Sequence, residues 1–132
     1  MITDQIADFL SRVRNASKAQ HRFVDADWSR MREDIAKILK EYGFIESYLI
    51  KKDSESRGKI RLFLKYGAAR YAVIQGIRRM STPGCRKYIC HSDIPHFYGG
   101  QGVSILSTSQ GVIAGREAEK RKIGGELLCL VW

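Results

Sequence analysis

The sequence predicts an α+β protein of two small lobes: an N-terminal lobe of two helices on a three-stranded sheet, and a C-terminal lobe that is mostly β with a short helix. Three observations lead there. Two segments in the first half carry apolar residues at helical spacing, with short extended segments between and after them. The second half loses the helical period and is broken by turn signals. Residues 127–132 have no polar face, as a strand buried on both sides would not. The lobes are expected at residues 1–66 and 67–132.

Residues 4–16 read as the first helix. Ile6, Phe9, Leu10 and Val13 fall on one face, and Asp4 lies near the start, where the helix dipole favours a carboxylate. Arg12, Arg14, Asn15 and Lys18 occupy the other side and the exit. They fit a solvated face and, in a chain of this charge, equally a set of phosphate contacts. Arg22, Phe23 and Val24 make a short strand. Residues 29–42 are the clearest helix. Met31, Ile35, Ile38, Leu39 and Tyr42 form its buried stripe, Ser29 or Asp27 its N-cap and Gly43 its stop.

A strand follows over residues 44–50, a polar turn over 53–58 and a hairpin partner over 59–66. Gly67, Ala68, Ala69 and Arg70 connect the lobes. A strand over 72–80, interrupted by Gly76, leads into Ser81-Thr82-Pro83-Gly84, whose Pro–Gly order suits a type II turn. Residues 86–90 return as a strand, with Arg86, Lys87 and Tyr88 as a contact surface. A short helical turn is expected at Asp93-Ile94-Pro95-His96. The glycine-rich loop Gly99-Gly100-Gln101-Gly102 comes next and matches no dinucleotide or phosphate-loop pattern.

Charge is the most informative bulk property. Lys and Arg number 23 against 14 Asp and Glu, a formal +9. Such an excess calls for a polyanion, either nucleic acid or an anionic membrane surface. The basic residues recur along the whole chain, which suits a folded surface on a phosphate backbone better than a tethering arm. No apolar run approaches a transmembrane length; of the two polyanions nucleic acid is the expected partner, with no membrane. The first residues lack the pattern of a secretory signal. Cys85, Cys90 and Cys129 are an odd set and read as reduced thiols of a cytosol. The Asn15-Ala16-Ser17 glycosylation pattern is discounted for the same reason.

Catalytic and metal chemistry find little footing. Cys85, Cys90, His91 and His96 are wrongly spaced for zinc. Ser107, Thr108 and Ser109 lack a nucleophile elbow, and one carboxylate, Glu126, is not an acid–base pair. No cofactor, metal or enzymatic activity is expected. Two rival readings are a basic protein–protein scaffold that binds no specific RNA and a small enzyme acting on an anionic substrate, for which the sequence shows no convergent titratable groups.

The most distinctive stretch is residues 102–132. A strand ends in the hydroxyls of Ser107, Thr108 and Ser109, then the turn glycine Gly111. A charged helical turn, residues 116–122, follows, and Gly124-Gly125-Glu126 opens the apolar final strand. Three hydroxyls at a strand end either bond their own turn or face outward as donors and acceptors. The glycine pair either turns tightly or lets a ligand approach the backbone. Glu126 either accepts from RNA hydroxyls or caps a turn.

Together, Ser-Thr-Ser-x-Gly-Val, Arg116-Glu117-Ala118 and Gly-Gly-Glu-x-Leu-Cys-x-Val-Trp resemble the signature of ribosomal protein eight of the small subunit, in its bacterial form. Residues 4–16 are similar to that family's first helix, and residues 76–88 and 94–103 to its central segments. The chain departs from the pattern at Ala114-Gly115, where the family commonly has a Thr–Asp pair that caps the following helix better. It departs again at Asp27, where the family often has Pro.

The resemblance implies a cytoplasmic ribosomal protein, or its organelle equivalent. Such a protein is a primary binder of the central domain of small-subunit ribosomal RNA and helps assemble the subunit. Its other implied partners are neighbouring small-subunit proteins and, in some bacteria, its own operon's messenger RNA. The RNA-binding set expected on residues and resemblance together is Ser107, Thr108, Ser109, Gly111, Gly124, Gly125, Glu126, Tyr88, Arg86, Lys87, Arg12, Arg14, Asn15 and Lys18. In it, Ser107, Thr108 and Ser109 meet base edges and 2′-hydroxyls, Tyr88 stacks, and the cations neutralise phosphates.

Overall fold

The structure is a computed structural model that describes residues 5–68, 71–96 and 101–132. Asp4, Ala69, Arg70, Gly99 and Gly100, assigned above to a helix start, a connection and a loop, lie outside them. The chain divides into two compact units, with one boundary between Gln75 and Gly76.

The first unit opens with α1 (Gln5–Lys18), whose Phe9, Leu10, Val13 and Ala16 are buried. β1 (Phe23–Asp27) is longer than the three residues expected. Its alternating run pairs throughout with β3, from Phe23 opposite Phe63 to Asp27 opposite Lys59. α2 (Arg30–Glu41) starts where the Ser29 hydroxyl accepts the Arg32 amide at 3.1 Å. Ser29, not Asp27, is therefore the cap. The helix ends in a Schellman motif: Phe44 N–H donates to the Leu39 carbonyl at 2.8 Å, and Gly43 N–H to Lys40 at 3.1 Å. Gly43 holds φ at +80°, which glycine adopts without strain.

β2 (Ile45–Lys52) and β3 (Gly58–Leu64) form the hairpin, and the sheet order is β1-β3-β2, all antiparallel. Ile60, Leu62 and Leu64 alternate inward, and α1 and α2 cover that face. Arg32 is a charged exception to a polar outside. It is buried, donating to the carbonyls of Asp27 at 2.8 Å and Gln5 at 3.0 Å, with its guanidinium 5.8 Å from the Phe9 ring centroid. It thus ties the start of α1, the end of β1 and the first turn of α2 together.

The second unit is built around its last strand. β8 (Gly125–Val131) pairs with β6 (Val103–Thr108) on one edge. On the other it pairs with β4 (Ile77–Arg79) along its end and β5 (Tyr88–Ile89) at its start. β7 (Gly111–Ala114) completes the order β4-β8-β6-β7, again antiparallel. Leu127, Leu128, Cys129 and Val131 are buried, as a strand without a polar face requires. α3 (Gly115–Arg121) packs Ala118 against Ile94, Leu106 and Leu127. Ala114 is its N-cap and makes no side-chain cap bond, consistent with the departure from a Thr–Asp pair.

Three further elements differ from expectation. The strand over 72–80 shrinks to Ile77–Arg79. Ala72 bridges Tyr66 instead, and Gly76 makes a reciprocal backbone pair with Trp132, both bonds 3.0 Å. The strand over 86–90 shrinks to Tyr88–Ile89, because residues 82–85 close their own bridge and the Lys87 amide is claimed by the Ser81 hydroxyl. The helical turn falls at His91–Asp93 rather than 93–96. Pro95 drives Ile94 to an extended conformation, ψ 123°, and stops it.

Candidate nucleic-acid interface

Sheet register decides which candidate side chains share a face. Tyr88 lies opposite Glu126, and Glu126 opposite Ser107. Directly opposed residues of antiparallel strands project to the same side, so Tyr88, Glu126 and Ser107 form one row across β5, β8 and β6. Leu106 and Leu127, the next residues, turn to the α3 core. The row therefore lies on the face away from α3.

The three hydroxyls do not act as a block, because consecutive strand residues alternate. Ser107 is half-buried in the row. Thr108 is spent on its own turn: its hydroxyl donates to the Gly111 carbonyl at 2.8 Å and accepts the Gln110 amide at 3.1 Å. Ser109 sits exposed in the turn, and Gly111 holds φ at +106°. The Ser107 and Ser109 hydroxyls have no protein partner among the described residues. Arg121 braces this turn from α3, donating to Gln110 at 2.8 Å and to Glu117 at 3.0 Å.

Glu126 is the electrostatic centre. It accepts from the Ser81 hydroxyl and from Arg86 at 3.0 Å. Burial alone would raise its carboxyl. The hydrogen bonds from Ser81 and Arg86, with the charges of Arg86 and Arg79, outweigh burial and hold it below the ordinary range. Tyr88 beside it is 72% exposed. Lys87 is exposed in its side chain and pinned at its amide. What Gly124 and Gly125 approach is the protein's own backbone. A Cβ on Gly124 would collide with the Ile89 carbonyl, and one on Gly125 with that of Ser107. The pair lets β8 enter between β5 and β6.

Arg12, Arg14, Asn15 and Lys18 belong to α1 in the other unit. Arg12 pairs with Asp8 at 3.1 Å, and Arg14 donates to the Ser11 hydroxyl at 3.5 Å, while Asn15 and Lys18 are exposed. Two residues that sequence reasoning missed complete the row's surroundings. They are Ser81, wholly buried, and Arg79, which reaches the Leu128 carbonyl at 2.6 Å. No spacing rule links Ser81 to Glu126, 45 residues away. Among the described residues no group of three metal-ligating side chains is gathered, and no helix is long and apolar enough to cross a membrane.

A family model described as ribosomal protein S8 matches residues 4–132. The chain is 61% identical over 132 residues to small ribosomal subunit protein uS8 of Protochlamydia amoebophila (strain UWE25), covering 100% of this chain and 99% of that relative. It is 50% identical over 132 residues to small ribosomal subunit protein uS8 of Chlamydia felis (strain Fe/C-56), covering 100% and 98%. To small ribosomal subunit protein uS8 of Koribacter versatilis (strain Ellin345) it is 48% identical over 134 residues, covering 100% and 98%.

Proposed function

This chain belongs to the ribosomal protein S8 family, and we propose that it is a primary binder of the central domain of small-subunit ribosomal RNA that helps the subunit assemble. It is a structural constituent of the cytoplasmic ribosome and not an enzyme. Its partners are ribosomal RNA and other small-subunit proteins. Its own operon's messenger RNA joins them if that message presents the same RNA shape.

The observation that carries the reading is the exposed end of the C-terminal sheet. One row there offers an exposed aromatic ring, Tyr88, and a hydroxyl, Ser107, without a protein partner among the described residues. Ser109 offers a second such hydroxyl in the adjoining turn. A wide, shallow RNA minor groove displays 2′-hydroxyls and base edges that such groups can bond. Tyr88 stacks on a splayed base, a contact of about 1–3 kcal/mol. Ser107 and Ser109 each add only about 1 kcal/mol, so they read shape and do not supply the bulk affinity. That comes from the +9 charge, with Lys87 beside the row and Arg14 and Lys18 on α1 meeting phosphates. Thr108 holds the turn, and Gly111, Gly124 and Gly125 shape the backbone.

The test is titration with a central-domain RNA fragment and an equal-length unrelated duplex, each across a range of salt. Preference for the fragment that survives high salt is the expected result. Equal binding that vanishes with salt would leave only a nonspecific cation and defeat the reading. Replacing Ser107 and Ser109 by Ala together should weaken the cognate complex roughly five- to thirtyfold with the salt slope unchanged. Lys18→Gln should reduce the slope by about one.

A further inference from the structure

We infer that Ser81 is a positioning residue of the RNA face: its buried hydroxyl, acting through Glu126, sets the place of Arg86 and Tyr88. The inference rests on the RNA-binding reading and goes beyond it, because Ser81 itself is too deep to touch a ligand.

Ser81 is 0% exposed, yet both capacities of its hydroxyl are used. It donates to the Glu126 carboxylate and accepts the Lys87 amide at 3.1 Å. Glu126 in turn accepts from Arg86 at 3.0 Å, and only 14% of its side chain is exposed. One hydroxyl thus ties the segment after β4 to the start of β8 and to the segment entering β5. β5 needs that tie. It is two residues long; its ladder with β8 has the pairs Tyr88–Glu126 and Ile89–Gly125, extended by one bond from the Leu127 amide to the Lys87 carbonyl at 2.8 Å. So short a pairing is marginal by itself. The amide held by Ser81 belongs to the residue just before Tyr88.

The arrangement also explains a carboxylate on a face meant for phosphates. A bare Glu126 would repel the RNA backbone. Between Ser81 and Arg86, its acceptor positions and its charge turn toward protein groups. Glu126 is then a splint for Arg86 rather than an acceptor for RNA.

The test is a double-mutant cycle on full-length protein, with affinity for the central-domain fragment measured across salt. Ser81→Ala is expected to weaken binding about tenfold. The salt slope should stay the same, since no phosphate contact is lost. Glu126→Gln is expected to weaken it by a similar factor although it removes a negative charge. The double variant should be little weaker than either single one. A structural role for Ser81 independent of Glu126 gives additive losses and overturns the inference, as does wild-type affinity in Ser81→Ala.

A second readout is NMR titration of the Glu126 carboxyl, which faces Arg86, Arg79 and Ser81. It should move to higher pH in Ser81→Ala, and an unmoved titration overturns the inference. If Ser81→Ala does not fold, Glu126→Gln alone decides: equal or tighter binding defeats the splint. Wild-type protein that does not prefer the fragment defeats the RNA reading and this inference together. Loss of effect in the variants alone defeats only the inference.

Discussion

Arg32 carries a charge inside the first unit's core and stays because two backbone carbonyls take it. Among the described residues its Nε has no partner, so the guanidinium is incompletely satisfied. Arg32→Ala would leave the carbonyls of Gln5 and Asp27 without their donor. The expected loss is about 3 kcal/mol, read by urea unfolding. Gly76 is the counterpart in the second unit. A Cβ there would sit 2.5 Å from the Trp132 indole, so Gly76→Ala should cost about 1–3 kcal/mol and shift Trp132 fluorescence. The thiols divide by depth. Cys129 is buried and pushed up to about 12 by desolvation, while Cys85 and Cys90 are exposed. Native protein should therefore lose two thiols to a maleimide and the third only on unfolding. Neither Arg32 nor Ser81 announced its role in the sequence, because each partner lies on another element.

Elements with a period of their own were legible. α2 declares itself by its stripe, by Ser29 and by Gly43, all within a turn of where they act. β8 declares itself by having no polar face. β4 and β5 were read too long, since their length is set by which part of β8 remains open to them. The hydroxyl run was legible as a run. Only the register of β6 shows that Ser107, Thr108 and Ser109 have three separate fates. α3 offers an element-scale test. Its C-cap, Lys122, is a non-glycine residue at φ 56°. Lys122→Gly should stabilise the second unit by about 0.5–1 kcal/mol, visible as a higher melting temperature.

At the scale of the whole molecule, charge sets the response to pH. Hydrogen bonding from Arg61, first among its causes, lowers the Asp25 carboxyl, and a bond from Lys59 lowers that of Asp27. Glu126 is lowered too. A depressed folded value means a contribution that is whole above the ordinary carboxyl range and lost as pH falls through the folded value. Asp34, raised chiefly by burial, works in the opposite sense. Three lowered groups against one raised group predict a net fall in stability below about pH 4, checked by urea midpoints at pH 7 and pH 3.

β8 follows in the chain every strand it joins. During synthesis from the N-terminus, β4, β5 and β6 emerge first and wait, their edges unpaired, until residues 125–131 arrive. α1, α2 and their sheet have no such dependence. A nascent chain therefore carries every strand of its first sheet long before it can assemble the Tyr88–Glu126–Ser107 row, and premature termination within β8 would yield a product without that row.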